Sequence, residues 1–184
     1  PPDYLKRARV FERKNSAGKP VQIDLKSRLP LNKSTEVIGR TWLDEELASA
    51  NSAASREGFG IDVEKAKKNR MAFLKGQQLL GKSGDITQGT LSELESLDLK
   101  TAGAALSKEM DKPYVDAPTK GSLSGTFIKT VERPSGKYAV IEKSREFTLV
   151  PWRETMDRNL GRSVRGIVTG QKISWSFSKG RGIN

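Results

Sequence analysis

The sequence contains no cysteine and no histidine. Without cysteine, disulfide scaffolds, thiolate zinc sites, cysteine nucleophiles and thiol redox chemistry are excluded. Without histidine, Ser-His and Cys-His arrangements and imidazole-held metals are excluded as well. Aromatic residues make up only 7% of the chain. The longest apolar stretches are four or five residues, where a membrane-spanning helix needs about 20. The Pro1-Pro2 start has no apolar segment of the kind a signal peptide carries, and the absence of an initiating Met suggests a fragment cut from something longer. Negative charge is the scarce sign: 22 Asp and Glu stand against 33 Lys and Arg, for a net +11.

The remaining composition suits one ordinary domain or two very small ones, because 184 residues can bury roughly 70% of the unfolded surface. Mean hydropathy is −0.59, yet the apolar residues cluster into periodic segments, which reads as folded protein with basic attachments. Charge is distributed unevenly. Residues 1–35 carry nine cations and three acids, residues 36–118 eleven and fourteen, and residues 119–184 thirteen and five. This basic, acidic, basic layout points to two basic faces able to meet a polyanion, with nucleic acid the first candidate. The plainer reading is a solvated surface of a basic protein.

Three regions follow. Residues 1–35 read as a basic N-terminal hairpin arm: Val21, Ile23 and Leu25 alternate with Gln22, Asp24 and Lys26, the turn lies at 15–19, and the partner strand lies around Val10 and Phe11. Residues 36–118 form a helical segment. Thr41 is an N-cap with acidic residues behind it; a second helix starts near Asp62 and ends at Gly81; a third starts with a capping box at Thr90-Leu91-Ser92-Glu93 and runs to about Met110.

Residues 119–184 show period two, with strands at 125–132, 137–143, 146–152, 163–170 and 172–177 and one short helix between the third and fourth. That order is typical of a small antiparallel β-barrel, OB-like or SH3-like, with a basic tail. The fold class is therefore α+β: a helical middle plus a C-terminal barrel.

Within this last region the string FTLVPWRETMDRNLGRSVRGIVTGQKISWSFSKGRGI resembles the C-terminal signature of bacterial conjugative relaxases, the mobilization nucleases of plasmid transfer. Upstream, TWLDEELASANSAASREGFGIDVEKAKKNRMAFL and SLSGTFIKTVERPSGKYAVIE are similar to further elements of that family, Phe127 standing for its usual Tyr, so the likeness spans about residues 40–183. It implies a cytoplasmic parent protein whose N-terminal domain nicks one DNA strand with a tyrosine and a histidine-bound metal. Parent and strand then pass together through a type IV secretion channel. This chain has no histidine for that metal, so the resemblance implies a non-catalytic accessory part without cofactor or metal. It would bind DNA, single-stranded or at the transfer origin; the alternative is a translocation module that docks on the coupling protein of the secretion apparatus.

The candidate nucleic-acid-binding residues are Arg153, Arg158, Arg162, Arg165, Lys172, Lys179 and Arg181. Guanidinium groups fork onto phosphates, whereas Glu154 and Asp157 offer the competing reading of surface ion pairs. A bend at Gly161 would bring Arg158 and Arg162 near Arg165 on one rim, with Glu154 answering Arg158 four residues along. Trp152 and Trp175 could stack bases, although an inward Trp on an alternating strand is more often core. Lys179 and Arg181 lie in a tail that could track phosphates or simply fray.

Other patterns carry less. Gly58-Phe59-Gly60 lacks the leading strand and third glycine of a dinucleotide loop, and Ala17-Gly18-Lys19 lacks the rest of a phosphate loop. Asp44, Glu45, Glu46, Asp62 and Glu64 read as helix N-terminal charge rather than an acid-base pair or metal site. Tyr4, Tyr114 and Tyr138 have no companion ligand pattern that would mark a nucleophile.

Overall fold

A computed structural model describes residues 10–14, 20–25, 29–49, 59–170 and 172–177. The chain divides into two compact units, Pro1–Asp98 and Leu99–Asn184. Among the described residues no helix is long and apolar enough to cross a membrane.

In the first unit, strands Val10–Lys14 (β1) and Pro20–Leu25 (β2) pair antiparallel, with an irregularity between Arg13 and Lys14. This is the expected hairpin; its turn, residues 15–19, lies outside the described residues. Helix Trp42–Ala48 (α1) starts at the predicted cap, and the Asp44 carboxylate accepts the Thr41 N–H at 2.7 Å and the Thr41 hydroxyl at 2.8 Å. Helix Phe59–Gly76 (α2) stops before the predicted Gly81. Gln78 takes a left-handed conformation (φ 58°) and the Leu79 N–H reaches back to the Leu74 carbonyl at 3.0 Å, closing the helix without a glycine.

Helix Gln88–Met110 (α3) begins before Thr90. The box is built by two threonines: the Thr90 N–H donates to Thr87 Oγ1 at 3.2 Å and the Thr87 N–H donates to Thr90 Oγ1 at 3.3 Å. The unit division falls inside this helix, after Asp98.

Arg70 is fully buried on α2 against a fully buried Asp44. Its Nε donates to Asp44 Oδ1 at 2.8 Å and its Nη2 to Oδ2 at 2.9 Å, a two-pronged pair. The remaining donors go to the carbonyls of Val37 and Gly39, both at 2.7 Å, and of Thr35 at 3.5 Å. Trp42, Leu43, Val63 and Ala66 form one buried apolar cluster, and a second joins Leu74, Ile86, Leu91 and Leu94.

The second unit is a five-stranded antiparallel sheet: Lys120–Arg133 (β3), Gly136–Glu142 (β4), Phe147–Pro151 (β5), Ser163–Thr169 (β6) and Lys172–Phe177 (β7), in the order β5-β4-β3-β6-β7. A 3-10 helix, Glu154–Asn159, links β5 to β6, as the sequence predicts. The α+β class holds, but the predicted OB-like or SH3-like barrel does not: the sheet is open. Its edge strands β5 and β7 do not pair, and β3 is longer than its apolar alternation indicates. Its first half, Lys120–Thr126, pairs β6 and its second half, Thr126–Arg133, pairs β4, with a bulge between Phe127 and Lys129. The outer side of β5 meets residues 113–115 instead of β7, with the Val115 N–H donating to the Phe147 carbonyl at 2.9 Å and the Phe147 N–H to that of Pro113 at 3.1 Å.

One sheet face buries Leu123, Phe127, Ala139, Ile141, Val150, Val164 and Val168 with Met156 of the 3-10 helix. The other buries Tyr138, Val140, Phe147 and Leu149 against Ala102 and Leu106 of α3. Tyr114 packs there too, its ring 5.7 Å from that of Phe147 and so close to Gly103 that an added Cβ would come within 2.3 Å of it. Burial raises the Tyr114 hydroxyl pKa above the ordinary 10.0, and a hydrogen bond to Asp116 and that carboxylate's charge push it the same way.

Two outcomes test this packing. Asp44→Ala should cost about 3–5 kcal/mol in urea denaturation, and Asp44→Leu combined with Arg70→Met should recover part of it, because the pair is then removed together rather than left half-made. Folded Tyr114 keeps its proton where the unfolded side chain loses it, so its contribution is whole below about pH 10 and is lost as pH rises further. Tyr114→Phe should therefore flatten the decline of Tm above that pH.

Candidate nucleic-acid interface

Strands of alternating burial place their polar residues on one face, and in antiparallel pairs the residues directly opposite share it. Along β6, Val164, Gly166 and Val168 are buried and Ser163, Arg165, Ile167 and Thr169 exposed. Gly166 is required on the inner side, because a Cβ there would sit 2.6 Å from Ile173 Cγ2 and 3.0 Å from the Trp175 ring. Trp175 fills that slot, and both Trp152 and Trp175 pack against the core cluster.

Register then assembles the outer face in three rows. Ser124, Arg165 and Ser176 lie opposite one another; so do Ser122, Ile167 and Ser174, and so do Lys120, Thr169 and Lys172. All nine are exposed. The face holds three cations, five hydroxyl side chains, one isoleucine and no carboxylate. Among the described residues, Lys120, Arg165 and Lys172 have no acidic partner, unlike Lys112, Lys129 and Lys143, which pair with Glu142, Glu109 and Glu146 at 2.8, 2.6 and 2.6 Å.

Where this face meets β4 it sinks into a groove of about 600 Å³ lined by Ser124, Thr126, Glu142, Ser144, Ser163 and Arg165, with Lys112 and Lys143 at its walls. Gly125 lets the strands approach there, since a Cβ would stand 2.5 Å from the Glu142 carbonyl oxygen. Arg165 is the groove cation without a carboxylate partner among the described residues.

Of the predicted residues, Arg165 and Lys172 come together on this face. Arg153, Arg158 and Arg162 are exposed on and beside the 3-10 helix and belong neither to the three rows nor to the groove lining. They have no acidic partner among the described residues, and the ion pair expected between Glu154 and Arg158 is not formed. Asp157 instead accepts the Trp152 indole N–H at 3.0 Å, while Lys137 Nζ stands 3.8 Å from that ring's centroid. The Gly161 bend is real (φ 75°): its N–H and the Arg162 carbonyl bracket the backbone of Phe127 at 2.7 and 3.0 Å. This ties the turn to β3. Lys179 and Arg181 lie outside the described residues.

Lys120, Ser122, Ser124, Ser174 and Ser176 were missing from the sequence-based set, as was the groove pair Lys112 and Lys143. The alternation in 163–169 and 172–177 marks two of the three strands; Lys-Gly-Ser-Leu-Ser at 120–124 has too few apolar residues to show itself as the third.

With this geometry in hand, the comparisons add a family but no activity. The family described as Protein of unknown function (DUF3363) matches residues 1–184, and the chain belongs to it. No curated protein and no solved structure matches the chain.

The face assignment has a direct test. Gly166→Ala should destabilise the protein by about 1–3 kcal/mol through overpacking against Ile173 and Trp175, whereas Ile167→Thr, one residue along at 62% exposure, should stay within about 0.5 kcal/mol of wild type. Urea denaturation of both variants checks it.

Proposed function

We propose that this member of that family is a non-catalytic, DNA-binding accessory part of a conjugative relaxase, holding DNA without sequence preference during plasmid transfer. The observation that carries the reading is the carboxylate-free outer face with Lys120, Arg165 and Lys172 on it. Three cations without an acidic partner among the described residues, on one face that carries no carboxylate, form the electrostatic footprint of a polyanion site. The relaxase-like strings supply the setting, and the sequence's lack of histidine supports an accessory rather than a nicking role.

Docking on a secretion coupling protein is less well supported at this face. Protein interfaces are anchored by clustered aromatic and apolar side chains, and here Ile167 stands alone among hydroxyls and cations.

Fluorescence anisotropy with a labelled oligonucleotide checks the binding. Affinity should fall steeply with salt, with a log-log slope of about −2 to −3 if three phosphates are neutralised, and should be indifferent to base sequence. A supercoiled origin plasmid incubated with the protein and Mg²⁺ or Mn²⁺ should stay unnicked. Binding without salt dependence, or nicking above a buffer control, overturns the reading.

A further inference from the structure

We propose that the β3-β6-β7 face grips the sugar-phosphate backbone of duplex DNA in preference to single strands. This rests on the DNA-binding reading above and assigns the form of DNA that the site takes.

Single strands are held without sequence preference by a basic groove combined with stacking of bases on exposed aromatic rings. This face has none. The described aromatic side chains are all buried or half-buried, and the exposed large hydrophobic residues are Ile61, Val115, Leu160 and Ile167. Trp175, between Ser174 and Ser176 of the face, is committed to the slot at Gly166 on the opposite side of the sheet. Trp152 is held by Asp157 and Lys137. Nor does the face carry Asn or Gln to read base edges. What it offers is charge and short hydroxyls, both suited to phosphate oxygens.

A site that works by charge alone favours the denser polyanion. Duplex DNA carries one charge per about 1.7 Å of axis, and the salt-linked gain per contact is larger for it, about 0.9 against 0.7 counterions. The spacing also suits a groove. Lys120 and Lys172 flank Thr169 two strand spacings apart, about 10 Å, and Arg165 lies four residues from that row, about 13 Å along the strand. That distance is close to the width of a B-DNA major groove, about 12 Å. The two cationic rows can then rest on the phosphate ridges either side, with the Ser122, Ile167, Ser174 row between them.

The test compares a labelled duplex of about 20 base pairs with one of its own strands by anisotropy, using the full chain at about 50 and 200 mM salt. The duplex should bind at least about fivefold more tightly at the lower salt. Arg165→Glu with Lys172→Glu should weaken duplex binding at least about tenfold with the melting temperature preserved. Ser124→Glu, which adds a carboxylate to the face and removes no cation, should weaken it too, and decides the matter if the double variant misfolds. Equal or tighter binding of the single strand overturns this proposal while leaving the DNA-binding reading standing, as does duplex binding unchanged in the folded variants. Binding to neither form overturns the DNA-binding reading itself.

Discussion

The first unit is organised around one buried guanidinium. Arg70 and Asp44 are both fully excluded from solvent, a placement that costs several kcal/mol per ion unless every polar group is answered. Here the answers come from the stretch of chain before α1. That stretch has no regular hydrogen-bonding ladder of its own, and the carbonyls of Val37 and Gly39 end on Arg70. Asp44 serves twice, closing the start of α1 through Thr41 and neutralising Arg70 from α2. Irregular backbone, helix start and helix packing thus share one set of bonds, so loss of either charge is felt in all three.

In the second unit the corresponding constraint is the length of β3. At 14 residues it is twice as long as β4 and β6, 7 residues each. It hands over from β6 to β4 near the Phe127 bulge, where the turn at Gly161 and Arg162 takes up the Phe127 backbone groups. The sheet stays open because β5 bonds to residues 113–115 and not to β7; α3 covers one end of its outer face, and among the described residues the other end is exposed.

How far the sequence foretells this differs by element. Thr41 and the alternation through 163–177 are local signals, and the structure follows them. The α2 terminus is missed because Gln78 does the work usually assigned to glycine, and the start of α3 because threonine replaces the acid of a capping box. Barrel closure is unreadable from strand order, since open and closed sheets differ only in which edges meet, and here Tyr114 and its neighbours take the β5 edge from outside any predicted strand. At the candidate site, Arg165 and Lys172 are visible from composition, but their grouping with Lys120 depends on a register set three strands apart in space. Arg158 and Arg162 lie close to Arg165 in sequence yet outside the rows it shares, because the Gly161 turn is tied to β3.

The slot at Gly166 has a consequence for motion. Among the described residues strand β7 has one hydrogen-bonded neighbour, and Ile173 and Trp175, both over Gly166, pack it onto the core. An edge strand held by one ladder and two inward side chains opens as one cooperative piece. Lys172, Ser174 and Ser176 therefore leave the outer face together when Ile173 and Trp175 withdraw, and the slowest amide exchange in β7 measures how often that face is dismantled.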